Sequence, residues 1–192
     1  MPKLVLASDS KYRAEILSKL LLPFSVCTSD VDETPLAHEL PQDLALRLSK
    51  AKALAVAGTF SEHLIIGSDQ VAVCAGQLLG KPGNKSQAIE QLKMQSAQIV
   101  HFYTGLCLLN TTDGQVLTAL DVTEVHFKVL SNAQIERYVA LDQPFDCAGS
   151  FKSEGLGISL FSKIMSEDPN ALVGLPLIKL IDLLNKQGLE LP

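Results

Sequence analysis

The sequence contains no tryptophan, and aromatic residues make up only 5% of its 192 residues. A core built from this chain must rest on leucine, valine, isoleucine and alanine, and an apolar fraction of 47% is enough for a sizeable core. Short aliphatic runs of this kind are typical of α/β proteins, whose parallel strands are buried on both faces. At this length we expect a single domain over residues 1–192, made of two lobes that share a core.

Close cysteine pairs and spaced histidines are also missing. The four cysteines are far apart in the chain, at Cys27, Cys74, Cys107 and Cys147. Disulfide frameworks and zinc sites normally show clustered cysteines, so we expect four reduced thiols. The four histidines lack the i, i+4 spacing of metal ligands, and we expect them on the surface or in the core.

The chain has no basic excess and no long apolar run. Its formal charge is −5, which argues against a nucleic-acid partner. No apolar stretch approaches the roughly 20 residues that span a bilayer. The N-terminal residues show no charged segment followed by a long apolar one, so we expect no signal peptide and no membrane partner. These features predict a soluble protein of the cytoplasm.

The order of aliphatic runs and turns predicts a mixed, twisted sheet flanked by helices. The opening runs as strand Leu4–Ala7, a helix capped by Asp9 or Ser10, and strand Phe24–Thr28. A helix over 42–57 and a buried strand over 64–68 follow. Residues 71–74 continue that strand, a hairpin turn leads into 77–79, and a helix over 86–94 follows. Next come a hairpin of strands 99–109 and 115–129 and a helix over 131–141 with Ser131 as N-cap. The chain ends with an irregular stretch over 145–160 that holds two short strands, and a helix over 170–186 capped by Asp168 or Asn170.

Polar clusters interrupt this aliphatic chain. Ser8–Arg13 lies where a strand turns into a helix, a place that attracts phosphate but also holds ordinary helix caps. Asp30–Pro35 is an acidic loop that can hold Mg²⁺ or simply face solvent. Asp69, after a buried strand, is placed to be a general base, a metal ligand or a turn former.

Two further clusters are weaker signals. Lys81 lies on a short stiff Gly-Lys-Pro loop, although a lone surface lysine is the commoner outcome. The stretch 149–155 contains glycines that let the backbone approach a ligand, or it is only a loop. The chain contains neither a Walker-type phosphate loop nor a Gly-x-Ser-x-Gly elbow.

Taken in order, these motifs resemble the Maf family of nucleotide pyrophosphatases. The resemblance covers nearly the whole chain. It runs through Leu6-Ala7-Ser8 with Arg13, Asp32-Glu33-Thr34-Pro35, Lys50-Ala51-Lys52-Ala53, Ile66-Gly67-Ser68-Asp69-Gln70, Gly80-Lys81-Pro82, Phe102-Tyr103-Thr104-Gly105 and Asn170-Ala171-Leu172-Val173-Gly174-Leu175-Pro176. The resemblance implies an α/β fold of two lobes around a central cleft, a homodimer, and hydrolysis of a nucleoside triphosphate between its α- and β-phosphates.

The resemblance also implies a role for each matched residue. Asp69 matches the proton acceptor, and Glu33 and Asp69 would hold a divalent cation (Mg²⁺, Mn²⁺ or Co²⁺). The positions that would bind phosphate are Ser8, Arg13, Lys52 and Lys81. These roles agree with the chemistry, because cations neutralise the leaving diphosphate while a carboxylate deprotonates water.

Three residues resemble the subgroup that prefers 7-methyl-GTP, namely Tyr12, Gln70 and Glu154. Methylation puts a positive charge on the guanine ring, and a stacked Tyr12 would gain about 0.5–2 kcal/mol from it. Glu154 could accept hydrogen bonds from the guanine N1–H and exocyclic amine. The subgroup usually has tryptophan at the position of Tyr12, and this departure predicts weaker selectivity.

Two other functions remain open from the sequence. Members that act on dTTP and UTP carry arginine at position 12, with lysine and glutamine in the later glycine-rich loop. This chain has Tyr12 and Ser153-Glu154 there. A nucleotide-binding regulator of septum formation without turnover is the third possibility, although a binder need not keep Asp69 and the lysines.

Overall fold

The computed structural model describes residues 3–191, which contain seven strands and five α-helices. The strands are β1 (Lys3–Leu6), β2 (Phe24–Val26), β3 (His63–Cys74), β4 (Gln77–Leu79), β5 (Ile99–Asn110), β6 (Val116–Phe127) and β7 (Phe161–Met165). The helices are α1 (Lys11–Ser18), α2 (Pro41–Ala57), α3 (Lys85–Gln95), α4 (Asn132–Asp142) and α5 (Leu177–Lys186). Three short 3₁₀ helices cover Ala148–Ser150, Leu156–Leu160 and Ala171–Val173.

The strands form one mixed sheet in the order β2-β1-β3-β5-β6-β7, with β4 paired to β3. Strand β1 runs parallel to β2 and to β3, and its last pairing with β3 joins Leu6 to Ile66. The pairs β3–β4 and β6–β7 are antiparallel. This sheet with its helices confirms the predicted α/β class.

Two compact units divide the described chain. The first comprises residues 3–70, 103–121 and 168–191, and the second comprises residues 71–102 and 122–167. The prediction of a single domain over 1–192 stays a prediction.

The sheet of the first unit is covered on both faces. Alternate residues of β1 point to opposite sides, so Leu4 and Leu6 join one apolar cluster and Val5 joins another. The first cluster includes Leu17 of α1 and Leu180 of α5, and the second includes residues of α2. This unit is therefore a three-layer α/β arrangement built almost wholly from aliphatic side chains.

The second unit adds a cluster of aromatic rings to its aliphatic core. Four of the seven phenylalanines pack as T-shaped pairs with ring centroids 4.7–5.6 Å apart: Phe102, Phe127, Phe151 and Phe161. The expected aliphatic packing also holds in this unit, where buried residues include Leu92, Ile135 and Val139, and the phenylalanine cluster adds to it.

Two stretches differ from the sequence prediction. The predicted strands over 145–160 are absent from the described chain, which forms two 3₁₀ helices there and then strand β7. The predicted helix over 170–186 is interrupted, because Gly174 adopts a φ of 112° and α5 begins only after Pro176. Asp168 still supports that helix, since its Oδ2 accepts from the backbone N–H of Ile178 at 2.7 Å.

No helix within residues 3–191 is both long and apolar enough to cross a membrane.

Candidate functional site

A buried carboxylate, Asp69, lies inside β3 rather than in a turn. It sits three residues beyond the last pairing of β3 with β1, so its side chain stands past the end of the neighbouring strand. Only 7% of Asp69 is exposed. Burial raises the pKa of its carboxyl group, and Lys52 and Arg13 oppose that rise.

Lys52 of α2 is the direct partner of this carboxylate. Its Nζ lies 2.5 Å from Asp69 Oδ1 and 2.6 Å from Glu33 Oε1, and only 8% of Lys52 is exposed. One ammonium group therefore joins the buried Asp69 to Glu33, whose side chain is 60% exposed. Buried charges are stable only when paired in this way, because each has lost its hydration.

Two glycines let α2 lie close enough to the sheet for this contact. A Cβ on Gly67 of β3 would overlap the carbonyl oxygen of Ser49, and a Cβ on Gly105 of β5 would overlap that of Ala45. Both overlaps are with helix backbone, which cannot swing aside as a flexible side chain does. The close approach places Lys52, one turn beyond Ser49, next to Asp69.

The turn between β1 and α1 carries Ser8 and Arg13. Ser10 caps α1 by accepting from the backbone N–H of Arg13. Ser8 Oγ accepts from the N–H of Ser10 at 3.2 Å and from Arg13 Nη1 at 3.4 Å. Arg13 Nε also donates to the carbonyl oxygen of Gly174 at 2.8 Å. The guanidinium is thus fixed on one edge, and its Nη2 has no hydrogen-bond partner within residues 3–191.

The charges around Arg13 belong to one electrostatic group. Burial lowers the pKa of its guanidinium, and the nearby carboxylates of Asp69, Glu33 and Asp9 act against that shift. The structure therefore brings together five of the residues picked out in the sequence: Ser8, Arg13, Glu33, Lys52 and Asp69.

Tyr12 and Gln70 also lie in the first unit. Tyr12 is half-buried on α1, and Lys11 Nζ is 5.2 Å from the centroid of its ring. Gln70 Nε2 faces three acceptors at 3.0–3.1 Å, which are Thr104 Oγ1 and the carbonyl oxygens of Ala171 and Leu172. Its amide nitrogen therefore holds the 3₁₀ segment, and its Oε1 is left to accept from other groups.

Lys81 and Glu154 lie in the second unit and are exposed. The backbone around Glu154 is nevertheless well fixed. Gln95 Nε2 donates to the carbonyl oxygen of Gly149 at 2.8 Å, and the N–H of Lys152 donates to Tyr138 Oη at 3.1 Å. The stretch is thus a fixed loop with an exposed carboxylate.

Sequence reasoning missed Ser68, Arg47 and Glu39. The buried Ser68 Oγ lies 2.9 Å from the carbonyl oxygens of both Gly105 and Gly174. Arg47 Nε and Nη2 donate to Glu39 Oε1 and Oε2 at 2.6 and 2.8 Å. The only sequence signal for this pair is that Pro41 starts a helix between the two residues, and it does not show that they meet.

The carboxylates fit the donor set of a divalent cation. Magnesium is commonly held by one or two carboxylates together with substrate phosphates, and Glu33 and Asp69 share Lys52 as a partner. Elsewhere, His101 Nε2 lies 3.7 Å from Glu124 Oε1, and His126 Nε2 lies 3.3 Å from Glu124 Oε2. Nowhere in residues 3–191 do three or more His, Cys, Asp or Glu side chains form a group that could hold a metal by themselves.

The fold and the charged cluster define an α/β protein with a polar site beyond the end of a parallel strand. A comparison with protein families then identifies the group. The chain belongs to the family described as Maf-like protein, which matches residues 3–187.

Individual relatives agree with this assignment. The chain is 52% identical over 187 residues to a protein of Nitrosococcus oceani named 7-methyl-GTP pyrophosphatase, covering 97% of this chain and 94% of that protein. It is 53% identical over 188 residues to a protein of the same name from Vibrio vulnificus, covering 98% and 96%. The structure of the Ham1 protein of Staphylococcus aureus covers 96% of this chain and 99% of its own, with a TM-score of 0.51 and 13% identity, which shows a similar fold.

Proposed function

We propose that this protein is a nucleotide pyrophosphatase that hydrolyses 7-methyl-GTP to 7-methyl-GMP and diphosphate. The observation that carries the proposal is the buried Asp69, held through one oxygen by Lys52 at 2.5 Å. The name shared by relatives that are 52–53% identical over nearly the whole chain supports the same substrate.

Asp69 is suited to accept a proton from water. Lys52 binds Oδ1, while Oδ2 has no hydrogen-bond partner in the described part of the chain. Water attacks the α-phosphorus, its proton passes to Oδ2, and the bond from that phosphorus to the bridging oxygen breaks with its electron pair on diphosphate. A positioned base contributes about 10²–10⁴-fold to such a step. Burial, which raises the pKa of Asp69, makes its carboxylate a stronger base.

The cations of the first unit would neutralise the substrate. A triphosphate carries about four negative charges, and donors held in place before binding stabilise charge as it develops. Arg13 is fixed by Gly174 with Nη2 available, and Ser8 and Lys52 lie in the same cluster. For Lys81, in the second unit, the same role rests on the family resemblance.

A divalent cation (Mg²⁺, Mn²⁺ or Co²⁺) would be held by Glu33 and Asp69. Bound there, it would supply positive charge to the phosphate oxygens. The ammonium group of Lys52 contacts both carboxylates and so offsets the electrostatic repulsion between them.

The choice of base would rest on Tyr12, Gln70 and Glu154. Lys11 Nζ lies 5.2 Å from the centroid of the Tyr12 ring, and this cation–π contact supports the proposed stacking on a cationic base. The two N–H groups of Gln70 Nε2 are shared among three acceptors, which fixes its amide plane and so orients Oε1. A methylated guanine, cationic and rich in N–H donors, matches this set better than a pyrimidine.

The test is diphosphate release from 7-methyl-GTP, GTP, dTTP, UTP and CTP with Mg²⁺ or Mn²⁺. We expect preference for 7-methyl-GTP in the wild type and a loss of about 10²–10⁴-fold in Asp69→Asn. The matched control is Asp182→Asn, an exposed aspartate of α5, which should retain activity. Preference for dTTP or UTP would reject the substrate assignment, and binding without turnover of any nucleotide would support a regulator instead.

The resemblance further leads us to propose a homodimer in the cytoplasm. Four free cysteines, two of them buried, support a reducing compartment. The exposed Ile164 and Met165 on edge strand β7 offer apolar surface for a second copy. Light scattering that gives the mass of one chain would reject the dimer, and fractionation of cells tests the compartment.

A further inference from the structure

We propose that Arg47 and Glu39 are positioning residues that set the place of Glu33. This inference rests on the proposed function for its catalytic meaning, because Glu33 matters there as a partner of Lys52 and a cation ligand. Arg47 and Glu39 lie outside the motifs that carry the resemblance to the family.

The acidic segment, residues 30–39, has little apolar burial to hold it. Residues 32–38 are all exposed and form no helix or strand. Even Leu36, an apolar residue in the middle, is 60% exposed. The position of Glu33 must therefore be determined by polar contacts.

Those contacts all lead to α2. Within residues 3–191, the hydrogen bonds and ion pairs that link the acidic segment to the rest of the chain come from Arg47 and Lys52. Lys52 binds the Glu33 side chain at its exposed end. Arg47 binds the segment at two other points, the carboxylate of Glu39 and the carbonyl oxygen of Thr34 at 3.1 Å.

The contact between Arg47 and Thr34 is the one that connects Arg47 to Glu33. Thr34 follows Glu33 directly, and its own N–H donates to Asp32 Oδ1 at 2.9 Å. The Asp32 side chain thus closes a turn across Glu33, and Arg47 holds the residue that follows Glu33. Glu39 Oε2 also accepts from the N–H of Leu36 at 2.9 Å, which closes the segment on itself.

The fork is charged throughout the neutral range. Hydrogen bonds from Arg47 hold the pKa of Glu39 down at about 2, and Glu39 in turn raises the pKa of Arg47. Two parallel N–H···O bonds are specific to arginine, since lysine has the same charge but cannot form the fork. The change Arg47→Lys therefore removes the paired hydrogen bonds to Glu39, while it keeps the positive charge that acts on Asp69.

The experiment is a double-mutant cycle on Arg47→Lys and Glu33→Gln, measured as kcat/KM for 7-methyl-GTP. Groups that orient a ligand of a metal typically change activity by about 10–100-fold, and we expect about tenfold for Arg47→Lys alone. In the Glu33→Gln background the same change should lower kcat/KM by less than about twofold, because the group it positions is gone. Equal losses in both backgrounds would overturn the proposal.

Amide exchange followed by NMR gives a readout that needs no activity. The N–H groups of Thr34 and Leu36 should exchange faster in Arg47→Lys, while those of α2 stay protected. The matched control is Arg137→Lys, an exposed arginine of α4, which should change neither exchange nor kcat/KM. Unchanged exchange at Thr34 and Leu36 would overturn the proposal, even if the wild type hydrolyses no nucleotide and the proposed function fails.

Discussion

The two units hold their candidate site residues in different ways. In the first unit, charged groups fix one another, and Lys52 joins Asp69 to Glu33. In the second unit, Phe151 packs among three other phenylalanine rings, and the neighbouring Glu154 is exposed. The buried carboxylate of Asp69 is thus fixed by ion pairs in a close-packed layer, whereas the exposed carboxylate of Glu154 is carried on a fixed backbone.

The charged cluster of the first unit should depend most on Gly67. A Cβ there would overlap the backbone of α2, so Gly67→Ala should lower the free energy of unfolding by about 3 kcal/mol. For a chain of this size that corresponds to a fall of roughly 6–12 °C in Tm, measured by thermal unfolding. In the control Gly58→Ala, nothing lies within 4 Å of the new Cβ and φ is −65°, so Tm should hold or rise slightly. Equal melting of the two variants would refute the close approach of α2.

The phenylalanine cluster of the second unit can be weakened by the change Phe151→Leu. Loss of the ring pairs should cost about 1.5 kcal/mol and loosen the backbone that carries Glu154. We therefore expect a smaller ratio of kcat/KM for 7-methyl-GTP over GTP, with kcat/KM for GTP nearly unchanged. Phe60→Leu is the matched control, since Phe60 pairs with His63 in the first unit. A fall in the ratio in both variants would show that the aromatic cluster has no special effect on selectivity.

Acid should erase the contribution of one ion pair in the charged unit. The pKa of Glu39 is about 2 in the folded protein, below its ordinary value of 4.5. The stabilisation is present above pH 4.5 and is lost as pH falls towards 2, because the unfolded chain takes up the proton first. The gap in Tm between wild type and Glu39→Gln should close over that range, unlike any gap for the exposed Glu90→Gln. A gap independent of pH would contradict the assignment.

The smallest expected effect is a gain. Tryptophan is a better cation–π partner than tyrosine, so Tyr12→Trp should raise the preference for 7-methyl-GTP over GTP by about two- to fivefold. Tyr12→Phe keeps the ring and should leave the ratio of kcat/KM values close to that of the wild type. A preference lowered by tryptophan would argue that the Tyr12 ring does not stack on the base.

Much of the fold could be predicted because local signals determined it. Ser131 as the N-cap of α4 and the hairpin of β5 and β6 are confirmed, and the structure adds a capping box in which Ser131 and Gln134 bond to each other's backbone. The helix over 170–186 was predicted wrongly because leucines continue at helical spacing through the 3₁₀ segment. Pro176, which has no N–H, and Gly174 mark the break that the apolar pattern hides.

The candidate site was less accessible to sequence reasoning from single motifs. Each polar cluster had an ordinary alternative, and only the order of motifs selected Asp69 and its neighbours. The pair of Arg47 and Glu39 could not be predicted. Glu39 lies before the start of α2 and Arg47 within it, and a separation of eight positions does not determine the distance between their side chains. The roles of the site residues remain predictions for the variants described above.

The hydrogen bond from Arg13 to Gly174 joins residues 161 positions apart. A ribosome adds about 5–20 residues per second, so Arg13 waits roughly 10–30 s for its partner to be made. Ser68, which shares the same carbonyl oxygen, must wait as well. The hydrogen bonds that hold Arg13 and Ser68 to this carbonyl oxygen therefore form only after residue 174 has been added, and any shorter chain lacks both of them.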